Sequence, residues 1–352
     1  MCKRILASQT NTEGSVPFYK IGTIGGTPDA YISKELFDDY KAKYNYPHKG
    51  EVMITCAGTV GKCVIYDGKD AYYQDSNIVW IDNPSQHINN GFLYHLIANV
   101  NWRKLNSTTI IRIYNDDLRN LKLSYPQIEE QKKISRLLSL LDERIATQNK
   151  IIEDLKKLKS AIIEKLYSEI QGKEYSYRQL FEIINERNNR LEFSNVLSAS
   201  QERGMVSRED LNLDIKFERS NINTYKIVRD GDYVIHLRSF QGGFAFSNIV
   251  GVCSPAYTIM RPKDLLEYGY LSYYFTSRQF IKSLVIVTYG IRDGRSINVD
   301  EWLDMKIVIP TKERQRHIVR TIKVFKNRIE NEEMYASCLL KQKQHLLRQM
   351  FI

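Results

Sequence analysis

The stretch PQIEEQKKI at residues 126–134 decides the fold, because it returns as PTKERQRHI at residues 310–318. The match runs without a gap from Pro126 to Ser168 and, 184 residues later, from Pro310 to Ile352. Its identities include Glu129/Glu313, Gln131/Gln315, Ile134/Ile318, Arg144/Arg328, Ile145/Ile329, Leu155/Leu339 and Lys159/Lys343. An internal repeat fixes the architecture before any single motif does, so the chain is expected to hold two copies of one unit.

Each copy predicts one long helix that starts near the repeated proline, at about 127–168 in the first copy and 311–352 in the second. Proline suits the first turn of a helix, and no further Gly or Pro follows until Gly172 in the first copy, or at all in the second. A heptad step visits ten positions in each copy, of which eight are apolar. This period predicts a two-helix coiled coil, and the alternative is one amphipathic helix per domain, packed on its own core. The predicted seam includes Ile134, Leu138, Leu141, Ile145, Ile152, Leu155, Ile162, Leu166, Ile318, Ile322, Phe325, Ile329, Leu339, Leu346 and Met350.

The regions before the two helices also match, more weakly. Residues 50–54 (GEVMI) resemble residues 231–235 (GDYVI), and residues 115–118 fall on residues 299–302. Each copy is therefore expected to be a mixed globular domain followed by a long helix. Strands are predicted at Glu51–Thr55, Ile78–Ile81, Tyr233–Leu237 and Ala256–Met260, and helices near 91–100 and 265–284.

Composition narrows the class of protein. The chain has 352 residues, of which 43% are hydrophobic, and no apolar run is long enough for a transmembrane helix or a signal peptide. Five cysteines form neither CxxC nor a Cys/His ligand spacing, so a disulfide scaffold and a zinc site are not expected, and a reducing cytoplasm fits. The net charge of +10 suits a polyanionic partner such as nucleic acid, although many soluble proteins are basic.

The order of globular domain, Pro-x-x-Glu-x-Gln-x-x-Ile helix, second globular domain and second such helix resembles the specificity subunit of Type I restriction–modification enzymes. The segment GVCSPAY at residues 251–257 is similar to one that is common in the recognition domains of that family. The resemblance covers nearly the whole chain. The duplicated helix motif is its most specific part, because recognition domains diverge with the DNA sequence that they read.

The resemblance implies an α+β fold, in which two pseudo-repeated mixed α/β target recognition domains are separated by two long helices that form an antiparallel coiled coil. Recognition domain 1 would span 1–124, the central helical spacer 125–171, recognition domain 2 172–308 and the C-terminal helical spacer 309–352. Residues 177–184 (YRQLFEII) resemble the usual entry segment of such a domain. Their counterpart would lie at or before Met1, so the first domain is expected to be short at its N-terminal edge.

The resemblance also implies the function and the partners. Each recognition domain would read one half of a split site in double-stranded DNA, and the helices would dock two methyltransferase subunits, which restriction subunits join. The specificity subunit is not itself catalytic in that family. We therefore expect no cofactor in this chain, S-adenosylmethionine in the methyltransferase partner, ATP and magnesium in the restriction partner, and a cytoplasmic prokaryotic protein without a membrane partner.

Motifs of a self-contained enzyme are not found. A P-loop needs Gly and Ser or Thr where the stretch at residues 56–63 has Cys56 and Cys63, so a glycine turn between strands is the better interpretation. The stretch at residues 83–86 (NPSQ) lacks the second proline and the aromatic residue of an adenine methyltransferase. No catalytic or metal-binding residue is predicted. A nuclease or methyltransferase with its own recognition domains, and a coiled-coil protein that does not bind DNA, are the remaining alternatives.

Candidate DNA contacts lie in loops that combine glycine with basic or hydroxyl side chains. Glycine lets a loop approach the duplex closely. Arg and Lys bind phosphates or the edges of guanines, and Ser, Thr and Gln bind phosphates or the edges of bases. The alternative for each loop is a surface turn with incidental charge. The predicted contacts are Tyr289, Arg292, Arg295 and Ser296 in one loop, Arg238, Ser239 and Gln241 in a second, Thr59 and Lys62 in a third, and Thr108 and Arg112 in a fourth.

Overall fold

A computed structural model describes residues 1–74, 77–84, 87–105, 112–200, 203–211, 219–236, 243–289 and 296–351. The chain divides into two compact units, and each takes half of both long helices. Unit 1 consists of Met1–Asn149 and Met334–Ile352, and unit 2 consists of Lys150–Glu333. The four predicted segments, with boundaries after residues 124, 171 and 308, stay a prediction.

Unit 1 holds two small sheets. Strand β1 lies between β2, which is antiparallel to it, and β5, which is parallel to it, while β3 lies between β4 and β6 in an antiparallel sheet. Phe37 of α1 is fully buried and packs edge-on against Tyr46 and Tyr72. The elements are β1 (Val16–Tyr19), β2 (Tyr31–Ile32), α1 (Lys34–Lys43), β3 (Val52–Thr55), β4 (Cys63–Ile65), β5 (Tyr72–Tyr73), β6 (Ile78–Ile81), α2 (Asn90–Ala98), α3 (Trp102–Leu105), α4 (Asn115–Arg119) and α5 (Ile128–Ser168), whose first half belongs here.

Unit 2 is built around the antiparallel sheet β13-β12-β15-β8, with two-stranded pairs β9–β10, β11–β14, β16–β17 and β7–β18. Its core is aromatic, and Tyr177 stacks on the buried Trp302 with ring centroids 4.2 Å apart. The elements are β7 (Lys173–Ser176), α6 (Tyr177–Leu180), β8 (Phe181–Ile184), β9 (Leu197–Ser200), β10 (Gly204–Ser207), β11 (Lys226–Val228), β12 (Tyr233–Ile235), β13 (Phe244–Phe246), β14 (Gly251–Cys253), β15 (Thr258–Pro262), α7 (Tyr270–Tyr274), α8 (Arg278–Ser283), β16 (Thr288–Tyr289), β17 (Ser296–Ile297), α9 (Val299–Asp304), β18 (Lys306–Ile309) and α10 (Lys312–Met350).

The repeat extends to the register of the strands. Val52 of β3 is paired with Ile65 of β4, and Tyr233 of β12 is paired with Phe246 of β13. In both pairs the two partners are separated by the same number of residues in the sequence. A third strand, β6 or β15, pairs antiparallel with the other edge of the central strand in each unit. The two globular parts therefore share a three-stranded core sheet, as the sequence match at residues 50–54 and 231–235 predicts.

Three predicted elements of unit 2 have different bounds in the structure. The strand predicted at Tyr233–Leu237 ends at Ile235. The strand predicted at Ala256–Met260 begins later, at Thr258, because the Tyr257 N–H bonds to the Ser254 carbonyl in a turn. The helix predicted over residues 265–284 is divided into α7, α8 and a 3₁₀ turn at Leu284–Val287. The division follows from Ser277, whose buried hydroxyl accepts the Phe280 N–H at 3.2 Å and so starts a new helix.

The long helices pair antiparallel within each unit. In unit 1 Asp142 of α5 forms an ion pair with Lys343 of α10, and Arg144 donates to the Tyr335 hydroxyl at 2.9 Å. In unit 2 Lys156 forms an ion pair with Glu333 at 2.7 Å, and the later part of α5 shares a core with the start of α10. Partner numbers on α10 fall as numbers on α5 rise, which is the antiparallel arrangement expected from the family resemblance.

Burial along the helices follows the heptad positions. Leu138, Ile145, Ile152, Ile318, Ile322, Ile329 and Leu339 are buried, and Ile134, Leu141, Leu155, Ile162, Leu166, Phe325, Leu346 and Met350 are half-buried. Near the end of α5 the most buried positions shift by one residue, from Ile162 and Leu166 to Ile163 and Tyr167. The reason is that this end also packs on the globular core of unit 2, whereas a simple seam would face α10 alone. Within the described ranges, no helix combines the length and the apolar character that crossing a membrane requires.

Candidate nucleic-acid interface

The turn between β3 and β4 carries two of the predicted DNA contacts. Thr59 is exposed at the turn and Lys62 is half-buried where it ends. Gly61 has φ +83°, and a Cβ there would come within 2.4 Å of the Trp102 ring, so this position requires glycine. The stretch from Cys56 to Cys63 is therefore a glycine turn between strands, and a β-strand follows it where a P-loop would continue into a helix.

Arg112 lies beside the same turn. The Ile113 N–H donates to the Cys56 carbonyl at 2.9 Å, which brings this segment against the end of β3. The Arg112 guanidinium lies 5.9 Å from the centroid of the Tyr114 ring. The structure thus brings Arg112 close to the turn that holds Thr59 and Lys62, although Arg112 belongs to a different predicted loop. Thr108 lies outside the described residues.

The thiols beside this turn are buried and protonated. Burial raises the pKa of Cys56 to about 11 and that of Cys63 to about 12. A thiol is nucleophilic only as the thiolate, so neither cysteine is activated for covalent chemistry at neutral pH. Among the described residues, no group of three or more His, Cys, Asp and Glu side chains is placed to hold a metal ion.

In unit 2, Tyr289 and Ser296 are the two ends of the predicted 289–296 loop. They face each other in the pair β16–β17, so the loop is a connection between antiparallel strands. The Tyr289 hydroxyl donates to Glu301 at 2.7 Å, which raises the pKa of this tyrosine, while its ring stays exposed. Arg292 and Arg295, within this loop, lie outside the described residues.

The third set of predicted contacts, Arg238, Ser239 and Gln241, also lies outside the described residues. In the chain these three residues fall between β12 and β13, the connection that corresponds to the β3–β4 turn of unit 1. From the sequence alone, the Thr59 loop and the Arg238 loop are separate candidates. The strand register shows that they are the same connection in the two copies of the repeat.

Each unit anchors its two candidate connections in one apolar cluster. In unit 1 the cluster contains Ile54, Cys63 and Ile113. In unit 2 the cluster contains Ile235 and Phe244, which flank the β12–β13 connection, together with Leu284, Val287 and Ile297, which flank the β16–β17 connection. The two connections of a unit therefore start from a common rigid core, an arrangement suited to presenting loops to a ligand.

The globular part of each unit is joined to its long helix by a buried glutamine of the repeated motif. Gln131 is 1% exposed, and its Nε2 donates to the carbonyls of Pro126 at 2.8 Å and His87 at 3.3 Å, while its Oε1 accepts the Asn89 N–H at 2.8 Å. These bonds connect the start of α5 to the loop before α2. Gly91 in α2 approaches α5 so closely that a Cβ would lie 2.2 Å from the Ser135 hydroxyl.

Gln315 makes the same three bonds in unit 2. It is 1% exposed, its Nε2 donates to the carbonyls of Pro310 and Leu265 at 3.0 Å, and its Oε1 accepts the Glu267 N–H at 2.8 Å. Sequence reasoning found both glutamines as identities of the repeat but assigned them no role. The signal that could have found them is an uncharged polar residue kept in both copies beside apolar seam positions, because a buried amide needs partners.

Known proteins resemble this chain in sequence. Residues 1–157 match the family described as Type I restriction modification DNA specificity domain. A Haemophilus influenzae protein named for a type I restriction enzyme specificity subunit, S.HindORF215P, is 50% identical over 155 residues, which are 44% of this chain and 40% of that protein. A Methanocaldococcus jannaschii protein named for the type I restriction enzyme MjaX specificity subunit is 24% identical over 379 residues, covering 97% of this chain and 88% of that protein.

Two solved structures share the fold. One is the S subunit of the Type I restriction–modification system from M. genitalium, with a TM-score of 0.57 and 15% identity over 100% of this chain and 92% of that chain. The other comes from work on complex assembly and conformational transition of the type I system, with a TM-score of 0.58 and 16% identity over 96% and 91%. Over its N-terminal part in sequence, and over nearly its whole length in fold, the chain is similar to specificity subunits of Type I restriction–modification systems.

Proposed function

We propose that the chain is the sequence-specific DNA-recognition scaffold of a Type I restriction–modification complex. It reads a two-part site in double-stranded DNA, one half with each unit. The observation that carries the proposal is the duplication of a whole arrangement: the same core sheet, the same pair of connections on one apolar cluster, and the same glutamine junction to a long helix. Two similar readers suit the approximate two-fold symmetry of duplex DNA.

The partners follow from the family and from the outer face of the helices. Leu137, Leu140, Leu158 and Val324 lie outside the seam and are exposed on α5 and α10, which supports docking of other subunits there. We assign these positions to two methyltransferase subunits, to which restriction subunits bind. In this proposal the chain works in the prokaryotic cytoplasm without catalysis of its own. S-adenosylmethionine belongs to the methyltransferase, and ATP with magnesium to the restriction subunit.

The test is to map methylated bases in a genome that expresses this chain together with its methyltransferase. A motif of two short half-sites with a fixed gap is expected. Exchanging residues 172–308 for the matching block of a relative should change one half of the motif and leave the other intact. A continuous motif, or an exchange that alters both halves, would contradict the proposal. Methylation by the chain without its partner would instead indicate a self-contained enzyme.

Arg292 and Arg295 give a test at the level of single residues. If one of them binds a guanine edge, its replacement by alanine should cost about 1–3 kcal/mol of binding free energy and relax specificity at one position. If it binds a phosphate, all sequences should weaken alike and the salt slope should fall by about one. The measurement is the affinity of the assembled complex for matched and mismatched duplexes across a salt series. Wild-type affinity and slope in both variants would make this loop an ordinary surface turn.

A further inference from the structure

A short apolar surface lies beside the β16–β17 connection of unit 2. Ile286 is 75% exposed, more than any other large apolar side chain in the part of the chain that the structure describes. Val285 is 61% exposed, and Tyr289 is 53% exposed. Single apolar side chains are common on protein surfaces, whereas a cluster of them indicates a surface that binds another molecule. We call these three residues the apolar edge.

The geometry of the 3₁₀ turn before β16 explains this exposure. Residues three apart lie on the same face of such a turn. The turn buries Leu284 and Val287 in the core of unit 2, so Val285 and Ile286 point outward. The Asn298 N–H donates to the Val287 carbonyl at 2.8 Å and fixes the end of the turn. Because Val and Ile are also stiff at χ1, their side chains present a fixed apolar shape.

The charges around the apolar edge suit DNA. From residue 278 to residue 289 the sequence holds two cations, Arg278 and Lys282, and no acid. Both cations are exposed on α8, which directly precedes the turn. Glu301, the acid that contacts Tyr289, also accepts the Asn298 amide at 2.8 Å. An exposed apolar surface with a basic border is suited to a position where bases lie between phosphates.

We propose that Val285 and Ile286 read the 5-methyl group of a thymine in the half-site of unit 2. The inference rests on the proposed function and names one base group that this unit recognises. The pair β16–β17 is a two-stranded ribbon, a shape that the major groove admits, and thymine presents its methyl group in that groove. Apolar side chains are the contact that a methyl group favours, because it offers no hydrogen bond.

The neighbouring contacts agree with this assignment. The β16–β17 connection holds Arg292 and Arg295 in the sequence, the residue type that binds guanine edges in the same groove. The apolar edge would therefore adjoin polar contacts to the next bases. A hydrophobic contact at one base pair and hydrogen bonds at its neighbours together distinguish a short sequence.

A protein partner is the alternative occupant, and the size of the surface argues against it. A stable protein interface takes roughly 20–30 residues from each side. The apolar edge has three residues, and its border is basic. A thymine methyl group is a single carbon atom, so two β-branched side chains are enough to cover it.

The experiment replaces thymine by uracil, which differs only in lacking the methyl group. The half-site of unit 2 is the one that changes when residues 172–308 are exchanged. Each thymine of that half-site is replaced singly, and affinities are measured for the complex assembled with methyltransferase. The chains are wild type, the combined change Val285→Ser and Ile286→Ser, and the control Val250→Ser, which alters an exposed valine of unit 2 outside this turn.

In wild type, uracil at one thymine position should weaken binding by about three- to fivefold, the effect of one buried methyl group. In the combined variant, thymine and uracil at that position should bind about equally well, because the apolar contact is lost. Val250→Ser should keep the preference of the wild type. Uracil in the half-site of unit 1 is a second control, and its effect should be the same in all three chains.

Four results would overturn the inference and leave the proposed function standing. Two concern the DNA: a half-site of unit 2 that contains no thymine, and a wild-type chain that tolerates uracil at every thymine. A combined variant that keeps the thymine preference would also contradict it. The fourth is a combined variant that fails to assemble while Val250→Ser assembles, which would indicate a protein partner. Wild-type protein that binds no two-part site would overturn the proposed function, and this inference with it.

Discussion

The two units begin their central strands in the same way. A buried acid precedes β3 in unit 1 and β12 in unit 2, and each acid, Glu51 or Asp232, follows a glycine with φ +91°. Each carboxylate accepts a hydrogen bond from the backbone N–H three residues earlier, at 2.8 Å for Glu51 and 2.9 Å for Asp232. Both units therefore have this hydrogen bond between the buried carboxylate and the backbone.

The side-chain partners of the two acids differ. Asp232 is 1% exposed and receives two bonds from the Arg261 guanidinium, at 2.9 and 3.0 Å. The strand register places Asp82 of unit 1 where unit 2 has Arg261, and Glu51 instead lies 3.4 Å from the imidazole of His48. The two units thus share a frame of backbone contacts, while the charge pairs attached to it differ.

The long helices repeat this pattern. Arg144 and Arg328 are equivalent, yet Arg144 donates across the helix pair to Tyr335, whereas Arg328 forms an ion pair along its own helix with Glu332 at 2.5 Å. Apolar seam positions match between the copies, and polar contacts around them do not. Side-chain electrostatics should therefore distinguish the stability of unit 1 from that of unit 2.

The largest expected effect is a loss of stability at the apolar helix seam, which both units share. Replacing Leu141 and Ile145 together with aspartate should cost about 4 kcal/mol of stability, because two seam side chains lose burial and two charges enter the interface. Hydrogen exchange should rise in the first half of α5 and the last part of α10. The same replacement at Phe325 and Ile329 should act in unit 2. Unchanged exchange and assembly would contradict the coiled coil.

The second-largest effect is expected from breaking the ion pair between Arg261 and Asp232 in unit 2, because unit 1 has Asp82 at the position of Arg261. Arg261→Ala should cost about 3 kcal/mol, because it leaves the buried carboxylate of Asp232 without its partner. Asp82→Ala, the matched change on the exposed surface of unit 1, should stay within about 0.5 kcal/mol. Chemical denaturation of both variants measures the difference. Equal effects would mean that the two strand pairs have not diverged in energy.

The third effect is a dependence of stability on pH, and it is expected in unit 1 alone. Burial lowers the pKa of His95 from 6.5 to about 4, with Asp142 and Lys343 as the charged neighbours and Tyr94 in ring contact. Because the unfolded state then binds the proton more readily, this contribution to stability is complete above pH 6.5 and declines toward pH 4. About 2 kcal/mol should be lost between pH 6.5 and pH 5.

Unit 2 has Tyr273 at the position of His95, and burial raises the pKa of this tyrosine, so it does not titrate in that range. Hydrogen exchange at pH 5 and pH 7 should therefore show a loss of protection around α2 and little change around α7. His95→Phe should flatten the pH dependence of unit 1. Equal acid sensitivity of the two units would show that His95 is not its source.

The smallest expected effect is on DNA binding. Lys62→Ala should weaken all sequences alike and lower the salt slope by about one if Lys62 binds a phosphate. Arg119→Ala, which removes an exposed charge that pairs with Asp116 on α4, is the control for general charge loss. A slope that falls equally in both variants would assign the effect to net charge.

Much of the arrangement of helices and strands could be predicted from the sequence, because local sequence signals determine these elements. The heptad pattern, the absence of Gly and Pro, and the acids near the helix starts predict α5 and α10 to within two residues. The strand at Ile78–Ile81 agrees residue for residue, since an apolar run between turn residues is also a local signal.

The remainder depends on contacts between distant residues. The shift of burial to Ile163 and Tyr167 needs the globular core, and the bonds of Gln131 join residues 42 and 44 positions apart. No periodicity encodes such partners. Of the predicted DNA contacts, the structure places Thr59, Lys62 and Arg112 around one turn, and the roles of all eleven residues stay predictions.

The make-up of unit 1 has a consequence for how the protein is synthesised. Unit 2 is one continuous segment, whereas unit 1 needs residues from both ends of the sequence, such as Phe92 against Phe351 with ring centroids 5.1 Å apart. During translation the first 149 residues therefore cannot complete unit 1 until the next 184 residues have been translated. At about 5–20 residues per second, that delay is roughly 10–40 s. Unit 1 is thus completed after unit 2, and until then the seam positions in its half of α5 lack their partners on α10.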